Sequence, residues 1–262
     1  MHEPDPIMPQ PLSIFIIALN EVDRIGAAIA AVRDMSDDIV VVDSGSTDGT
    51  QKLAEALGAR VIFNAWPGYG LQKQFGEDQC RYDWMLNIDA DEIVTPALKS
   101  SIMSALAPAD LKPCGFAINI VEMFPGESKA HPWAFTLSPV RLYHKKIGRY
   151  SASPVHDRVD LIDGTPRIKL EGVLEHRSIR SLGHELIKLN AYADMQVDDL
   201  ELKGRKLPAI RLILEFPLAF LKAYFGRRHC VRGLYGFMTA MNYAFYRYLR
   251  AAKHWERRLK RS

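Results

Sequence analysis

Three groups of polar residues stand where apolar runs of the sequence give way to loops. Each run is rich in β-branched and aromatic residues, which predicts a buried strand. The groups are Asn20 and Glu21 after LSIFIIA, Asp43 and Ser44 after IVVV, and Asp89 and Asp91 within WMLNIDADE. Because ligands bind beyond the carboxyl ends of parallel strands, we expect these side chains to line one site.

The first chemistry to consider is metal binding by Asp89 and Asp91. On an extended strand, residues two apart share a face, so both carboxylates could point toward one ligand. Carboxylate oxygens suit Mg²⁺ and Mn²⁺, which also bind substrate phosphates. The pair therefore suggests a metal site for a diphosphate. The alternative is a polar turn with a helix cap, since two aspartates at this spacing recur by chance.

The second chemistry is nucleotide binding by the segment VVVDSGSTDGT. A buried strand that ends in Asp43 and continues with Ser44 presents an acceptor and backbone N–H groups at a helix N-terminus. That arrangement suits a nucleotide base and ribose. An ordinary strand-to-helix loop explains Ser46, Thr47 and Asp48 as helix caps. It does not explain Asp43 at the edge of the core.

The elements that must position these residues follow from hydrophobic periodicity. Strands and helices alternate over the first hundred residues, which predicts an α/β fold with a mainly parallel sheet. Strands are expected at 12–18, 39–43, 60–63 and 84–89, with helices at about 22–34, before Gly58, at about 70–82 and from Pro96 to about Leu106. Short strand-like runs within 115–180 predict an antiparallel extension, and the rest of the chain is expected to be helical.

Four segments together resemble glycosyltransferase family 2. They are IIALNEVDRI, IVVVDSGSTDGT, WPGYGLQKQF and WMLNIDADEIVTP, in this order and at typical spacing. Within the family, the chain is most similar to the lipopolysaccharide-core β-glycosyltransferases. The resemblance implies the GT-A nucleotide-diphospho-sugar transferase fold and a divalent metal, Mn²⁺ or Mg²⁺, as cofactor. One departure is Gln74, which stands where the family pattern leads us to expect Asn.

The resemblance also implies a role for each matching residue. Asn20, Glu21 and Ser44 would line the nucleotide pocket, and Asp43 would accept a hydrogen bond from a uracil ring. Lys73 would approach the base or diphosphate, and Asp89 would contact the ribose or a metal-bound water. Asp91 would ligate the cation between the two phosphates, and His176 would complete the metal sphere. A lone histidine is otherwise a common structural residue.

An acceptor hydroxyl must lose a proton during sugar transfer, which requires a positioned base. By resemblance, the segment SPVHDRVD supplies Asp157 as the catalytic base and His156 as a residue that lines the catalytic site. The alternative is a structural hydrogen-bonded turn. Glu122 is a second candidate base, and Trp133 could either stack on a sugar or fill the core edge. A single in-line displacement would invert the anomeric centre.

Charge is distributed unevenly along the chain. The net charge is +3, yet residues 203–262 contain 15 Lys and Arg against 2 acids, whereas residues 1–202 contain 19 against 29. Within this basic region, Pro217 should kink a helix over 209–225. A basic stripe accompanies a row of aromatic and apolar residues further on, at Arg247, Arg250, His254, Arg258 and Arg261. Such helices suit an anionic membrane surface. A soluble helical cap is the alternative, and an acidic body disfavours nucleic acid.

We therefore expect a flexible N-terminus at 1–11, a GT-A catalytic domain at 12–180 and a helical, basic, membrane-associating region at 181–262. The N-terminus lacks a secretory pattern, and no run reaches the roughly 20 apolar residues of a spanning helix. The three cysteines lie far apart, at Cys80, Cys114 and Cys230, as in a reducing compartment. These features favour a cytoplasmic protein, peripheral on the inner face of the cytoplasmic membrane.

The predicted function is transfer of a sugar, with inversion, from a nucleotide donor to a lipid-linked or lipopolysaccharide-core glycan, with UDP as the expected nucleotide. One alternative uses a polyprenyl phosphate as the acceptor. Another is a non-catalytic module of this fold that binds a nucleotide or a partner protein. A phosphohydrolase with Asp89 as nucleophile is disfavoured, because its motif usually follows the first strand and here follows the fourth.

Overall fold

A computed structural model of the chain describes residues 10–153 and 158–260. These residues form two compact units. The first unit comprises the chain up to Val121 together with Thr136–His176. The second comprises Glu122–Phe135 and the chain from Arg177 onward. The segment Glu122–Phe135, which falls inside the expected catalytic range 12–180, thus belongs with the helical C-terminal part.

Strands dominate the first unit. In chain order they are β1 (Leu12–Ala18), β2 (Asp38–Asp43), β3 (Arg60–Phe63), β4 (Trp84–Asp89), β5 (Glu92–Val94), β6 (Gly115–Glu122), β7 (Thr136–Leu137), β8 (Val140–His144), β9 (Gly148–Tyr150), β10 (Val159–Leu161) and β11 (Arg167–His176). Its helices are α1 (Ile25–Val32), α2 (Thr50–Ala56), α3 (Tyr69–Gln79) and α4 (Pro96–Ala105).

Among the described residues, nine strands form one sheet in the order β3-β2-β1-β4-β8-β6-β11-β5, with β7 paired to β6. Strands β3, β2, β1 and β4 run parallel, whereas β8 joins β4 antiparallel. The remaining pair, β9 and β10, forms a separate antiparallel ribbon. The predicted α/β fold, with a mainly parallel sheet and an antiparallel extension, is confirmed.

β1 lies at the centre of the parallel half, and all seven of its residues are buried. Alternate side chains enter different cores because successive residues of a strand point to opposite faces. Ile14 and Ile16 belong to a core that includes Ile29 of α1 and Leu98 of α4. Phe15 belongs to the second core, with Tyr143 and its neighbours. This double coverage explains why the sequence of β1 is almost continuously apolar.

The predicted strand bounds agree closely with the structure. Two predicted helix boundaries also agree with it. Gly58 has a φ of +90°, the left-handed conformation that commonly follows a helix end. Thr95 caps α4, whose first residue is Pro96. One premise of the sequence analysis is wrong: β4 ends at Asp89, and Asp91 lies in a turn before β5 rather than on an extended strand.

The second unit is mainly helical. It contains α5 (Leu182–Leu202), α6 (Arg211–Leu221) and α7 (Gly233–Leu259), with a π-helical turn at Lys222–Gly226 and a 3₁₀ turn at His229–Arg232. Pro217 lies inside α6, as predicted. Within the described part of the chain, no helix combines the length and apolar content needed to cross a membrane.

Candidate active site

Asp43, the last residue of β2, organises the loop that follows it. Its Oδ1 atom accepts hydrogen bonds from the backbone N–H groups of Gly45 and Ser46, both at 2.8 Å, and from the Gln51 side chain at 2.6 Å. The Ser46 hydroxyl donates to Oδ2 at 2.5 Å. Burial opposes ionisation of Asp43, but these donors outweigh it and lower its pKa. The carboxylate is therefore charged and largely engaged within its own loop.

The end of β1 is joined to the same loop by Asn20. This residue has a φ of +56°, a left-handed conformation that asparagine tolerates better than most residues. Its backbone N–H donates to Ser46 Oγ at 2.8 Å, and its side-chain oxygen accepts from the Thr47 N–H at 2.9 Å. Glu21 N–H donates to Thr50 Oγ1 at 2.8 Å. Hydrogen bonds therefore join Asn20 and Glu21, at the end of β1, to the loop that follows Asp43.

Helix α3 lies beside these loops and against the chain before residue 154. A Cβ added to Gly70 would lie 2.0 Å from the Ser151 carbonyl oxygen and 2.7 Å from that of Ser153, so only glycine fits. Gln72 donates to Ser44 Oγ at 2.9 Å. Gln74, the departure from the family pattern, donates to the Tyr150 carbonyl at 2.6 Å. The segment GYGLQKQF therefore connects the β2 loop to the chain after β9.

Lys73, on the same helix, is buried and points at the end of β4. Its Nζ atom lies 2.9 Å from Asp89 Oδ1 and 5.1 Å from the centre of the Tyr150 ring. Arg141 of β8 approaches the other carboxylate oxygen of Asp89, at 3.4 Å. Burial opposes the charge on Asp89, yet the two cations hold its pKa well below the usual range. Asp89 is therefore an ionised group in a fixed orientation.

Arg141 is the centre of a buried network that sequence reasoning missed. It donates to Asn87 Oδ1 at 2.6 Å and to Glu92 Oε1 at 3.1 Å, and the Tyr150 hydroxyl donates to the same Asn87 oxygen at 2.7 Å. Glu92 Oε2 in turn accepts the Asp89 N–H at 2.8 Å. Burial raises the pKa of Glu92, which Arg141 opposes. The sequence signal for this network is the arginine in the strand VRLYH, whose five residues are all buried in the structure.

Asp91 lies in the turn after Asp89 and contacts a second set of groups. Its Oδ2 atom is 3.3 Å from Arg24 Nη1 and 3.5 Å from His176 Nε2. Arg24 also donates to Glu21 at 2.7 Å, which joins the end of β1 to this turn. Burial raises the pKa of Asp91, but the hydrogen bond and charge of His176, with help from Arg24, lower it overall. The carboxylate is ionised and only slightly exposed.

Strand pairing explains how His176 reaches Asp91. β11 pairs antiparallel with β5, and in this register His176 stands opposite Glu92. The structure thus brings together the predicted metal residues, Asp91 and His176, from distant parts of the sequence. Within residues 10–153 and 158–260, no group of three or more potential metal-binding side chains occurs. Two donors suffice for a cation that also binds substrate phosphates, because Mg²⁺ sites commonly use one or two carboxylates and the substrate.

The predicted catalytic residues His156 and Asp157 lie outside the described residues. The two weaker candidates belong to the second unit. Glu122 accepts a hydrogen bond from the Ser178 hydroxyl at 2.5 Å. Trp133 is 67% exposed, so it does not fill a core edge and remains available for stacking.

This site is built on a recognisable sequence family. A profile described as glycosyl transferase family 2 matches residues 13–159, which include the β1, β2 and β4 ends. The chain belongs to glycosyltransferase family 2. It is therefore a glycosyltransferase with the GT-A type of α/β fold, as the four sequence segments predicted.

Relatives in the family match nearly the whole chain. An uncharacterized glycosyltransferase of Rickettsia prowazekii is 38% identical over 92% of this chain and 86% of its own length. The lipopolysaccharide core biosynthesis glycosyltransferase LpsC of Rhizobium meliloti is 33% identical over 94% of this chain and 93% of its own length. The similarity therefore extends through both units and not only through the sheet.

A solved structure shows a more distant likeness. Glucosyl-3-phosphoglycerate synthase from Mycobacterium tuberculosis, in complex with Mn²⁺, uridine diphosphate and glucosyl-3-phosphoglycerate, is 18% identical with a TM-score of 0.47. The match covers 76% of this chain and 81% of that chain. At this level of similarity, no residue role transfers from one protein to the other.

Proposed function

We propose that this family 2 enzyme transfers a sugar, with inversion, from a UDP-sugar to a lipid-linked or lipopolysaccharide-core glycan. The observation that carries the proposal is the pairing of Asp91 with His176 beside an ionised Asp89 at the carboxyl edge of the sheet. A nucleoside diphosphate needs both a pocket for its base and charge neutralisation for its leaving group. The ends of β1 and β2 provide the first, and the turn after β4 provides the second.

The donor set of this turn suits a divalent cation, Mn²⁺ or Mg²⁺. Asp91 and His176 would hold it, since a carboxylate and an imidazole already face each other there at 3.5 Å. Asp89 is less suited to direct ligation because Lys73 and Arg141 contact both its oxygens, whereas Arg24 and His176 contact Asp91 at Oδ2. When bound, the cation neutralises the charge that develops on the departing diphosphate.

The residues of the chain supply binding and orientation. Asn20, Glu21, Asp43 and Ser44 form the proposed nucleotide pocket, with Asp43 shaping the loop as well as facing the base. Lys73 acts mainly by fixing Asp89, which would contact the ribose or a metal-bound water. This role differs from direct contact with the base or diphosphate, and the burial of Lys73 favours it.

For the proton of the acceptor hydroxyl, we keep Asp157 as the base and His156 as its neighbour. Ser151 and Ser153, just before these residues, contact Gly70 at the start of the helix that carries Lys73. This contact supports a role for the following segment near the donor. The name of the LpsC relative supports a lipopolysaccharide-core acceptor. Such an acceptor is anchored in lipid, which supports action at the cytoplasmic face of the inner membrane.

Calorimetric titration tests the donor site. The wild-type protein, Asp91→Asn and Asp34→Asn are titrated with UDP, UDP-sugars and GDP, with and without Mn²⁺. Asp34 is an exposed carboxylate that pairs with Lys99, so its variant controls for the loss of one charge. We expect Mn²⁺-dependent UDP binding by the wild type and Asp34→Asn, and at least about a tenfold weaker affinity for Asp91→Asn.

Absence of nucleotide binding under every condition would contradict the proposed donor. Equal UDP affinity in all three proteins would contradict the role of Asp91 while leaving the donor intact. Sugar transfer to lipopolysaccharide-core fragments, followed by analysis of the anomeric configuration, then tests acceptor and inversion separately. A retained anomeric configuration would exclude a single displacement.

A further inference from the structure

Helix α6 exposes its large apolar side chains, which is the reverse of the usual pattern for a helix of a water-soluble unit. Its buried positions are Glu215 and Ala219, and Ala223 of the following turn is also buried. Its large apolar side chains, among them Ile213, Leu214 and Leu218, are exposed. An amphipathic helix on a soluble domain turns its apolar stripe toward the core. In α6 the small residues face inward and the branched ones face outward.

The exposed stripe is continuous along the helix and onto its neighbour. Ile213, Leu214, Leu218, Leu221 and Phe225 recur at spacings of one, three or four, and all are exposed. On α7, Phe237, Met241 and Phe245 are likewise exposed. Phe220 links the two helices, with its ring centre 5.7 Å from that of Phe237. We call these eight exposed residues the outer apolar face. Contiguous exposed apolar surface of this kind marks an interaction site.

The basic stripe of α7 serves a different purpose from the one its sequence suggested. Arg247 and Arg250 both contact Glu215 Oε1, with Arg250 Nη2 at 3.0 Å, and Glu215 is only 8% exposed. Lys253 contacts Asp194 of α5 at 2.7 Å. These cations hold the helices of the unit together. Arg247 and Arg250, two members of the predicted basic stripe, therefore contact Glu215 rather than facing lipid.

Other basic residues flank the outer apolar face. Arg205 and Lys206 precede α6 and are exposed, as are Lys222 and Arg228 at its other end. Between residues 203 and 255 the sequence contains one acid, Glu215. This acid forms ion pairs with Arg247 and Arg250 of α7. The segment that carries α6 and most of α7 is thus strongly basic, which complements an anionic surface.

We propose that the outer apolar face is an in-plane membrane-binding surface whose partner is the interface of an anionic bilayer. The branched and aromatic side chains enter the boundary between headgroups and acyl chains, and the flanking lysines and arginines contact lipid phosphates. Small residues on the inner side of α6 let it pack closely on α7 while its large residues face lipid. The proposal rests on the membrane location proposed above, although it requires no turnover.

Vesicle flotation of the full-length protein tests this surface. Vesicles of phosphatidylglycerol with phosphatidylcholine are compared with vesicles of phosphatidylcholine alone. The variant is Ile213→Glu, and the matched control is Ile162→Glu, because Ile213 is 72% exposed on the outer apolar face and Ile162 is 61% exposed in the first unit. We expect the wild type and control to float with the anionic vesicles, and Ile213→Glu to partition about tenfold less.

Two outcomes would overturn the proposal. Equal partitioning of Ile213→Glu and Ile162→Glu would show that the outer apolar face does not bind the membrane. A wild-type protein that ignores anionic vesicles but forms a dimer in light scattering, which Ile213→Glu dissociates, would assign the face to a second copy. Thermal unfolding of each variant verifies the fold, and Ile213→Ser, which introduces no charge, should show the same defect more weakly. UDP binding is measured in parallel, so failure of the surface and failure of the donor site are distinguishable.

Discussion

His176 stands opposite Glu92 in the β5–β11 pairing, and this register places its Nε2 atom 3.5 Å from Asp91 Oδ2. If both residues bind the cation, His176→Gln should weaken Mn²⁺-dependent UDP binding at least about tenfold. Binding measured without a cation should change little, because the proposed nucleotide pocket lies at the ends of β1 and β2. Titration of Mn²⁺ at fixed UDP measures the effect. His131→Gln, in the second unit, is the control, and an equal loss in both variants would contradict the assignment.

Lys73 is predicted to be a stabilising residue as well as a site residue. Lys73→Met leaves Asp89 beside Arg141 alone, and removal of one partner of a buried pair costs about 3 kcal/mol. Denaturant unfolding at neutral pH measures this loss. Lys99→Met, which removes the partner of the exposed Asp34, should change stability little.

The Lys73→Met effect should also depend on pH. The pKa of Asp89 is depressed in the folded protein, so its stabilising contribution is present above the unfolded pKa of about 3.9 and is lost as pH falls through the folded value. Lys73→Met raises the folded pKa, and the difference in unfolding free energy between variant and wild type should shrink in acid. A constant difference across pH would show that lost packing, rather than charge, is responsible.

Gly70→Ala should disturb the contact between α3 and the chain at Ser151–Ser153. The added Cβ would overlap two carbonyl oxygens, and relief of such overlap costs about 2 kcal/mol. Gly26→Ala is the matched control in α1, where a Cβ would lie 3.5 Å from a Leu53 methyl group. There the change should be neutral or stabilising, since alanine favours a helix. Unfolding free energies compare the two, and a larger loss in Gly26→Ala would contradict the packing argument.

The buried carboxyl group of Glu77, in α3, should give the stability of the protein a second dependence on pH. Burial raises its pKa above the ordinary 4.5, although the Tyr143 hydroxyl and the Tyr150 N–H donate to its Oε1 atom. A raised acid pKa gives stability that is present below the unfolded pKa and is lost as pH rises through the folded value. Glu77→Gln keeps an oxygen for both donors and has no charge to bury. Its stability should therefore vary less than that of the wild type as pH rises from 4.5.

Local pattern was sufficient to predict the parallel half of the sheet. Strands β1, β2 and β4 are apolar runs that end in polar residues, so both the strand and the candidate site at its end are visible in sequence. The turn at Asp91 was not visible, because alternation of Asp89 and Asp91 fits a strand as well as a turn. At this turn the Glu92 side chain accepts a hydrogen bond from the Asp89 N–H, a contact that local pattern does not reveal.

The long-range partners could not be derived from local pattern. Arg24 and Arg141 lie 67 and 52 residues from Asp91 and Asp89, the carboxylates they contact, and the sequence carries no period that links them. The basic stripe on α7 misled for a related reason. Helical periodicity shows which residues share a face, but whether that face meets water, lipid or Glu215 depends on the neighbouring helices.

The ion pair between Arg24 and Asp91 has a consequence for handling the enzyme. Arg24 already compensates the charge of Asp91, so we expect the turn after β4 to keep its folded shape without a divalent cation. A chelator should therefore abolish sugar transfer while leaving the melting temperature unchanged, and added Mn²⁺ should restore activity without refolding. If the proposed cation binds at this turn, the protein should tolerate purification and storage free of metal and need the cation only for turnover.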